Sequence, residues 1–429
     1  MRYPIKKRSP KVFCPFILLL LILAMPTLSF AADFTDDLGR TVSLPDTIDK
    51  FAPTGPMAQY VLYSVNPDKM AGWANALTYD QKQYIDSNLW GLPIFGQIYG
   101  GYGVYNVDAV KTSGAKVIVD VGQIKDSVLE MTYAFNELQA QAGIPVVFIR
   151  ADDLGAPVYD YDRVYERLGT FLLDDRDHIS DLQDYCYETK EYIETQRATI
   201  PQNVARARSI YYGEGPEGLL TNGIAGPGAI NQDIIPFIGG VNVAVIESTS
   251  GLGLTPVTIG RVRNWNPRAI IFGPHGYYQY VADDPDWEEI SAVENGKYAQ
   301  VPDALYNWIG RPPSVNRILG AQWLAHIMFP EYYPEYYSMP AIVDEYYNLF
   351  YHYDLSREQI DAILSTAEFI DPVWEDYDDY TPLNHFYYEY NNNNCLRNVE
   401  LPGQIIIYQY DANGNILSGP YIESTVETE

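Results

Sequence analysis

The chain has 429 residues, 47% of them hydrophobic and 20% charged, with a formal net charge of −28. That length allows two or three domains, and the apolar content suffices for a real core. So acidic a surface repels nucleic acid and anionic membrane, which excludes both as electrostatic partners.

Residues 1–31 have the grammar of a secretory signal. Arg2, Lys6, Lys7, Arg8 and Lys11 form a basic start, residues 13–24 an apolar core, and Ser29 and Ala31 sit at the small-residue positions of a cleavage site. The apolar run is shorter than the ~20 residues a spanning helix needs, and an uncleaved anchor is the alternative. Cys14 precedes the apolar core, so no lipobox is evident. Cleavage would take the net charge from −28 to −33, because five basic residues leave and no acidic ones. The expected location is the periplasm. Cys186 and Cys395 would remain, and export permits a disulfide between them as readily as two free thiols.

Residues 33–44 alternate about a turn at Asp37-Leu38-Gly39 and read as a hairpin. A strand at 50–53 enters the loop Thr54-Gly55-Pro56, and a helix follows over 57–65. After a strand at 71–73 and an irregular Gly/Tyr-rich stretch, a helix at 106–113 leads to a strand at 115–120. A helix at 127–142 then leads to a strand at 146–149. This order makes a parallel, doubly covered sheet the natural architecture. Residues 158–199 carry apolar residues at helical spacing between Pro157 and Pro201. They read as one helix of ~35–40 residues, spanning ~55 Å, or as two helices broken near Asp174 and Asp175.

Beyond that stretch the order restarts. Strands are expected at 207–212, 219–221, 268–272 and 298–301, with helices at 229–238, 258–265, 287–292 and a final core helix at 314–329. Residues 106–120 can be laid on 258–272, one copy on each side of the long stretch. The fold expected is therefore α/β: two doubly wound lobes joined by a long interdomain helix, with a ligand cleft between them. The divisions are a signal (1–31), an N-terminal lobe (32–157), the backbone helix (158–200), a C-terminal lobe (201–365) and an acidic Tyr/Asn-rich tail (366–429). The tail holds an expected hairpin, 404–410 with 415–421, about Asn413-Gly414.

Several segments in order resemble one family. Residues 36–42 (DDLGRTV), 106–119, 142–147 (AGIPVV), 225–228 with 238–244 (AGPG, IGGVNVA) and 284–302 are similar to signatures of helical-backbone periplasmic substrate-binding proteins. These serve ABC importers of ferric siderophores, haem, cobalamin and some metal oxyanions. The resemblance covers roughly residues 34–335. It implies a rigid interdomain helix, small hinge motion and docking on a permease dimer through one acidic residue per lobe. The matching positions are Asp108 and Asp233; the pattern has Glu where this chain has the shorter Asp. Solvation at a helix start is the alternative reading of Asp108.

In such lobes the ligand is met by loops at strand C-termini. Thr54 and Gly55 lie at a helix N-terminus able to receive an anion; a plain Gly/Pro turn is the alternative. Gln97, Tyr99 and Tyr102 lie in a glycine-rich loop that is either a binding loop or surface packing. Asn222 is in the third loop. His275 and Tyr277 are in the fourth, with His275 the one candidate for a metal or ligand oxygen. Trp308 is expected to stack on a planar chelate and Arg311 to pair with a carboxylate or oxyanion, or with a carboxylate of its own lobe. No P-loop, dinucleotide fingerprint, H-E-x-x-H, C-x-x-C or nucleophile elbow occurs, so the chain is not expected to be an enzyme. No intrinsic cofactor is expected. The leading function is capture of a metal chelate, above all an iron–siderophore or similar iron complex. The alternatives are a molybdate- or tungstate-type oxyanion-binding protein, a sensor or structural protein on the same fold, and a chelatase-like enzyme.

Overall fold

The computed structural model describes residues 32–99, 104–125, 127–151, 160–222, 234–246, 255–273, 276–311 and 313–374, and four strands of the tail. Residues 1–31 lie outside the described residues, as do Tyr102, Asp233, His275 and Cys395. No described helix is long and apolar enough to cross a membrane.

The chain opens on the expected hairpin, β1 (Ala32–Thr35) antiparallel to β2 (Thr41–Leu44). Its turn is locked to the first lobe by charge. Asp36 accepts from both Nε and Nη2 of Arg40 and from the Phe148 amide. Arg163 bonds the neighbouring Asp37 at 2.9 Å. The N-terminal sheet has the order β3 (Phe51–Pro53), β4 (Val117–Gly122), β5 (Val146–Arg150), all parallel. Helices α1 (Pro56–Val65), α2 (Val107–Thr112) and α3 (Val128–Ala142) connect it. Local chemistry sets their ends. Asn106 and Ser127 accept third-residue amides as N-caps. Gly143 closes α3 at φ 66°, a left-handed cap that suits glycine.

The long polar stretch is two helices, not one. Helix α4 (Tyr161–Gly169) ends, and after a short 3-10 turn α5 (Arg176–Arg197) runs back along it. Lys190 of α5 meets Asp160 and Asp162 at 3.0 Å, while Arg176 reaches the Gly169 carbonyl, so the pair is antiparallel. The strut is thus α5 alone: 22 residues, or ~33 Å at 1.5 Å per residue. It buries one face, Ile179, Leu182, Cys186, Thr189 and Ile193. Near its start, His178 bonds the Ser64 carbonyl of α1; at its end, Arg197 lies over the Phe237 ring of the second lobe. One helix therefore touches both lobes. Cys186, buried within it, is a free thiol.

The second lobe repeats the plan. Helix α6 (Gln202–Ala207) precedes β6 (Ile210–Gly213), so the strand starts later than expected. A short pair, β7 (Leu220–Thr221) with β8 (Thr255–Pro256), flanks α7 (Ile234–Phe237). After α8 (Ile259–Trp265) come β9 (Ala269–Phe272), α9 (Ser291–Glu294) and β10 (Tyr298–Gln300). The parallel order is β10-β9-β6. Helix α10 (Asn316–Met328) is buried at every position but His326, its polar residues Asn316, Arg317 and Gln322 included.

Helix α10 is not the last core element. Helices α11 (Met339–Tyr351) and α12 (Arg357–Leu364) follow. Met339, Val343, Tyr346, Tyr347, Phe350 and Tyr351 of α11 are buried. Sequence reading missed both helices: tyrosines obscure the 3.6-residue period of α11, whereas the Ser356–Gln359 capping box that opens α12 is a local signal that marks its start. The second lobe also runs past residue 365. Gln300 bonds the Thr366 carbonyl at 2.8 Å, Trp323 the Ala367 carbonyl at 2.7 Å, and Lys297 the Asp371 and Val373 carbonyls at 2.6 Å. Residues 366–374 thus belong to the lobe, not to the tail. The tail carries a four-stranded antiparallel sheet, β11 (Tyr387–Tyr390), β12 (Leu396–Leu401), β13 (Gln404–Ile407) and β14 (Tyr421–Ser424); β13 matches the first strand of the expected hairpin, its partner lies at 421–424 instead of 415–421, and the Asn413-Gly414 turn is outside the described residues.

The lobes share one core. Tyr60 of α1 stacks on Tyr306 of the second lobe with ring centroids 3.4 Å apart. Gln59 bonds the Tyr306 hydroxyl and Ser314 the Met57 carbonyl. Gly320 of α10 lets this loop approach, since a Cβ there would sit 2.0 Å from the Trp308 carbonyl oxygen. Gly320→Ala is therefore expected to destabilise the protein by about 1–3 kcal/mol or more through overpacking, read as a lower denaturation midpoint in urea. An unchanged midpoint would mean that the loop yields freely.

Candidate ligand cleft

Parallel sheets present their loops at the carboxyl ends of their strands, where the expected ligand contacts of both lobes lie. In the first lobe, Thr54 directly follows β3 and is buried; its amide bonds the Val119 carbonyl and its hydroxyl donates to Asp120 of β4. Gly55 then begins α1 in extended backbone, with Gln97 alongside. The Ile98 amide bonds the Thr54 carbonyl at 2.9 Å, which fixes Gln97 against this turn. The structure thus groups Thr54, Gly55 and Gln97. Pro56 at the first helical position removes one donor from the expected anion-binding terminus. Asp120, which sequence reading passed over, is the polar residue of an otherwise buried strand. Desolvation pushes its carboxyl above the usual range, against the lowering effects of the Thr54 bond and Lys125.

In the second lobe, β6 is followed directly by Glu214, whose carboxylate receives Nε of Arg311. Glu214 is buried while the Arg311 side chain is one-third exposed. Arg311 holds φ 62°, a left-handed conformation that is uncommon for a residue with a Cβ. Tyr212 lies beside the pair. Burial and the bond to Glu214 push its phenol well above its ordinary value, against the opposing pull of Arg311 and Arg317. Arg317, on the first turn of α10, is fully buried. Gly273 ends β9 next to them: a Cβ there would meet the Glu214 Cγ at 2.7 Å. Asn222, one residue past β7, is fully buried, and among the described residues neither atom of its amide has a hydrogen-bond partner. The Ser314 hydroxyl, three residues past Arg311, reaches the Met57 carbonyl, and Met57 also packs near Gly122 at the end of β4. The two groups of residues are therefore tied across the lobes through Met57 and Ser314.

Three expected contacts are placed elsewhere. Trp308 is fully buried, edge-on to Trp323 with centroids 6.2 Å apart, so it is a core residue without a face for a ligand. Tyr99 packs on Phe135 of the first-lobe core. Tyr277 lies against Trp287 and Tyr280 and donates to Asp284. That bond, with some desolvation, pushes its phenol up to about 12. Arg311 does pair with a carboxylate of its own lobe. Among the described residues no cluster of three or more His, Cys, Asp or Glu could hold a metal. Asp108 is 95% exposed on the first turn of α2, bonded loosely to Lys111 at 3.7 Å. It borders a surface hollow lined by Tyr105, Asn106 and Gln141. Asp120 and Glu214 each stand at or just past a predicted strand end, a signal that would have found both.

No protein-family model and no curated protein matches the sequence. Solved structures do match. An ABC transporter solute-binding protein from Sulfurospirillum deleyianum is 25% identical, with TM-score 0.68, over 78% of this chain and 99% of that one. A periplasmic solute-binding protein from Veillonella parvula is 21% identical, with TM-score 0.61, over 78% and 98%. The molybdate periplasmic binding protein of a Haemophilus influenzae ABC transporter, solved with molybdate, is 17% identical, with TM-score 0.55, over 76% and 99%. All three are transport binding proteins rather than enzymes.

The raised Asp120 gives a signed prediction. Its folded pKa lies above the unfolded value of about 3.9, so its contribution to stability falls as pH rises through the folded pKa. Asp120→Asn should raise the urea midpoint at pH 7, and the gain should vanish as pH drops below about 4. A gain that persists at low pH would assign the effect to packing instead.

Proposed function

We propose that this chain, a solute-binding protein of the helical-backbone class, captures a metal chelate between its lobes outside the cytoplasm and delivers it to an ABC importer. The chelate we favour is an iron complex of the siderophore type. The observation that carries the choice is the pair of acids, Asp120 within β4 of one lobe and Glu214 just past β6 of the other. Carboxylates accept hydrogen bonds and oppose compact dianions, whereas an organic chelate brings its own donors and spreads its charge. The aromatic argument for a chelate weakens with Trp308 and Tyr99 in the core, so the acids now carry it. A molybdate-type oxyanion is the second reading, favoured by the two guanidinium groups, Arg311 and Arg317, and by the likeness to the molybdate-binding protein. Permease docking would use Asp108 and Asp233.

Native mass spectrometry of the exported protein against ferric siderophores, haem, cobalamin, molybdate and nickel chelates tests the ligand class. Retention of a ferric complex supports the reading; binding of molybdate alone sinks it. For docking, Asp108→Lys and Asp233→Lys should each leave ligand binding intact and abolish uptake in cells. Normal uptake by the double variant would remove these residues from the interface.

A further inference from the structure

The loop between β10 and α10 carries Arg311 and belongs by chain order to the second lobe. The first lobe nevertheless grips it. Gln59 bonds the Tyr306 hydroxyl, Tyr60 stacks on the same ring, and the Met57 carbonyl accepts from Ser314. A further hold comes from residues 77–92, a strap that leaves the first lobe and crosses to the second. Leu77, Tyr84 and Leu92 of the strap pack on the shared core. The strap is pinned to its own lobe by the Trp73 indole, which donates to the Leu89 carbonyl at 2.9 Å.

Gln81 is the strap residue that reaches across. Its backbone N–H donates to Thr78 Oγ1 at 3.1 Å, and the Thr78 N–H donates to Gln81 Oε1 at 3.0 Å. This is the reciprocal pattern of a capping box, and it fixes the side chain. The remaining group, Nε2, donates to the Leu305 carbonyl of the second lobe at 3.0 Å. Further along the strap, Tyr84 packs edge-on against Tyr347 and Tyr353, with centroids 5.9 and 5.5 Å away. The Tyr347 hydroxyl in turn donates to the Ala304 carbonyl at 2.6 Å. The strap thus holds Leu305 directly and its neighbour through Tyr347. The loop needs such holding. Leu305 at φ 57° and Arg311 at φ 62° are both left-handed, and neither is glycine. Backbone of this kind persists only where the surroundings impose it. Gln81 fixes Leu305 from one lobe, and Glu214 fixes the Arg311 side chain from the other.

We propose that Gln81 is a positioning residue for the ligand loop: from the first lobe it holds Leu305, and through Leu305 the bend that presents Arg311. The loop is then a shared element whose shape depends on where the first lobe stands. Separating the lobes breaks the Gln81 bond and frees the bend. The proposal rests on the reading of the Arg311 loop as part of the ligand site, and adds the group that ties its shape to the lobes.

The test is hydrogen–deuterium exchange, read by mass spectrometry, on the purified full exported chain without ligand. Gln81→Glu keeps the oxygen that Thr78 uses and loses the donor to Leu305; Gln81→Ala loses both. Gln81 is only half-buried, so neither change opens a core cavity. Both variants are expected to exchange about three- to tenfold faster over residues 303–311, where the Trp308, Ile309 and Gly310 amides bond within the loop. Exchange in β4 and β9 should stay at the wild-type rate. A rise confined to Gln81→Ala would assign the effect to the Thr78 turn and overturn the proposal. Unchanged exchange in both variants, or a rise shared by both sheets, would overturn it as well. Because no ligand is present, the outcome is independent of the chelate panel. Faster loop exchange in a protein that retains no member of that panel would support the role of Gln81 and overturn the chelate function.

Discussion

The structure depends on α1 being packed against both lobes at once. Its N-terminus grows out of β3 of the first sheet, and its Tyr60 ring lies flat on Tyr306 of the second lobe. Its last-turn carbonyl, Ser64, would be left without a partner inside the helix. It accepts instead from His178 of α5 and His352 at the end of α11, each at 2.9 Å. One oxygen thus joins the first lobe, the strut and the helical cap of the second lobe. Burial holds the His352 imidazole below its ordinary pKa, which favours the neutral ring at this junction. A core that runs unbroken between lobes resists wide opening, because separation would expose large tyrosine surfaces to water.

The same packing sets the chemistry of the cleft. The start of α1 and the loop after β10 are locked together through Met57 and Ser314. Each lobe carries an acid that it has already engaged, Asp120 within β4 by the Thr54 hydroxyl and Glu214 just past β6 by Arg311. Engaged groups are preorganised, and their charge is partly neutralised before a ligand arrives. Asn222 differs, being buried with an unsatisfied amide at the end of a short strand, the kind of group whose desolvation cost a bonded ligand would offset.

Much of the fold was legible in local patterns. The opening hairpin, α1, the αβ units at 106–120 and 258–272, and the buried strands follow from period-2 and period-3.6 spacing plus caps such as Asn106, Ser127 and Gly143. Family signatures ordered along the chain pointed to two lobes and a strut. The site was legible only as loops. Thr54, Gly55, Gln97, Asn222 and Arg311 fall where strand ends predict, yet Trp308 and Tyr99 did not follow their loops. An aromatic ring in a cleft loop turns toward whichever side buries it, and here the interior offered Trp323 and Phe135.

Sequence by itself determined the class of architecture, the position of the two sheets and the loops from which a site could be built, because hydrophobic period, caps and glycine turns are local properties. Tertiary structure alone decided three matters. It broke the long polar stretch into α4 folded back on α5, a choice made by pairing Lys190 with Asp160 and Asp162 across the turn. It added α11, α12 and residues 366–374 to the second lobe, where tyrosines pack against residues far away in the chain. It joined Arg311 to Glu214, 97 residues apart. Each depends on contacts between distant segments, and no local pattern records which segments will meet.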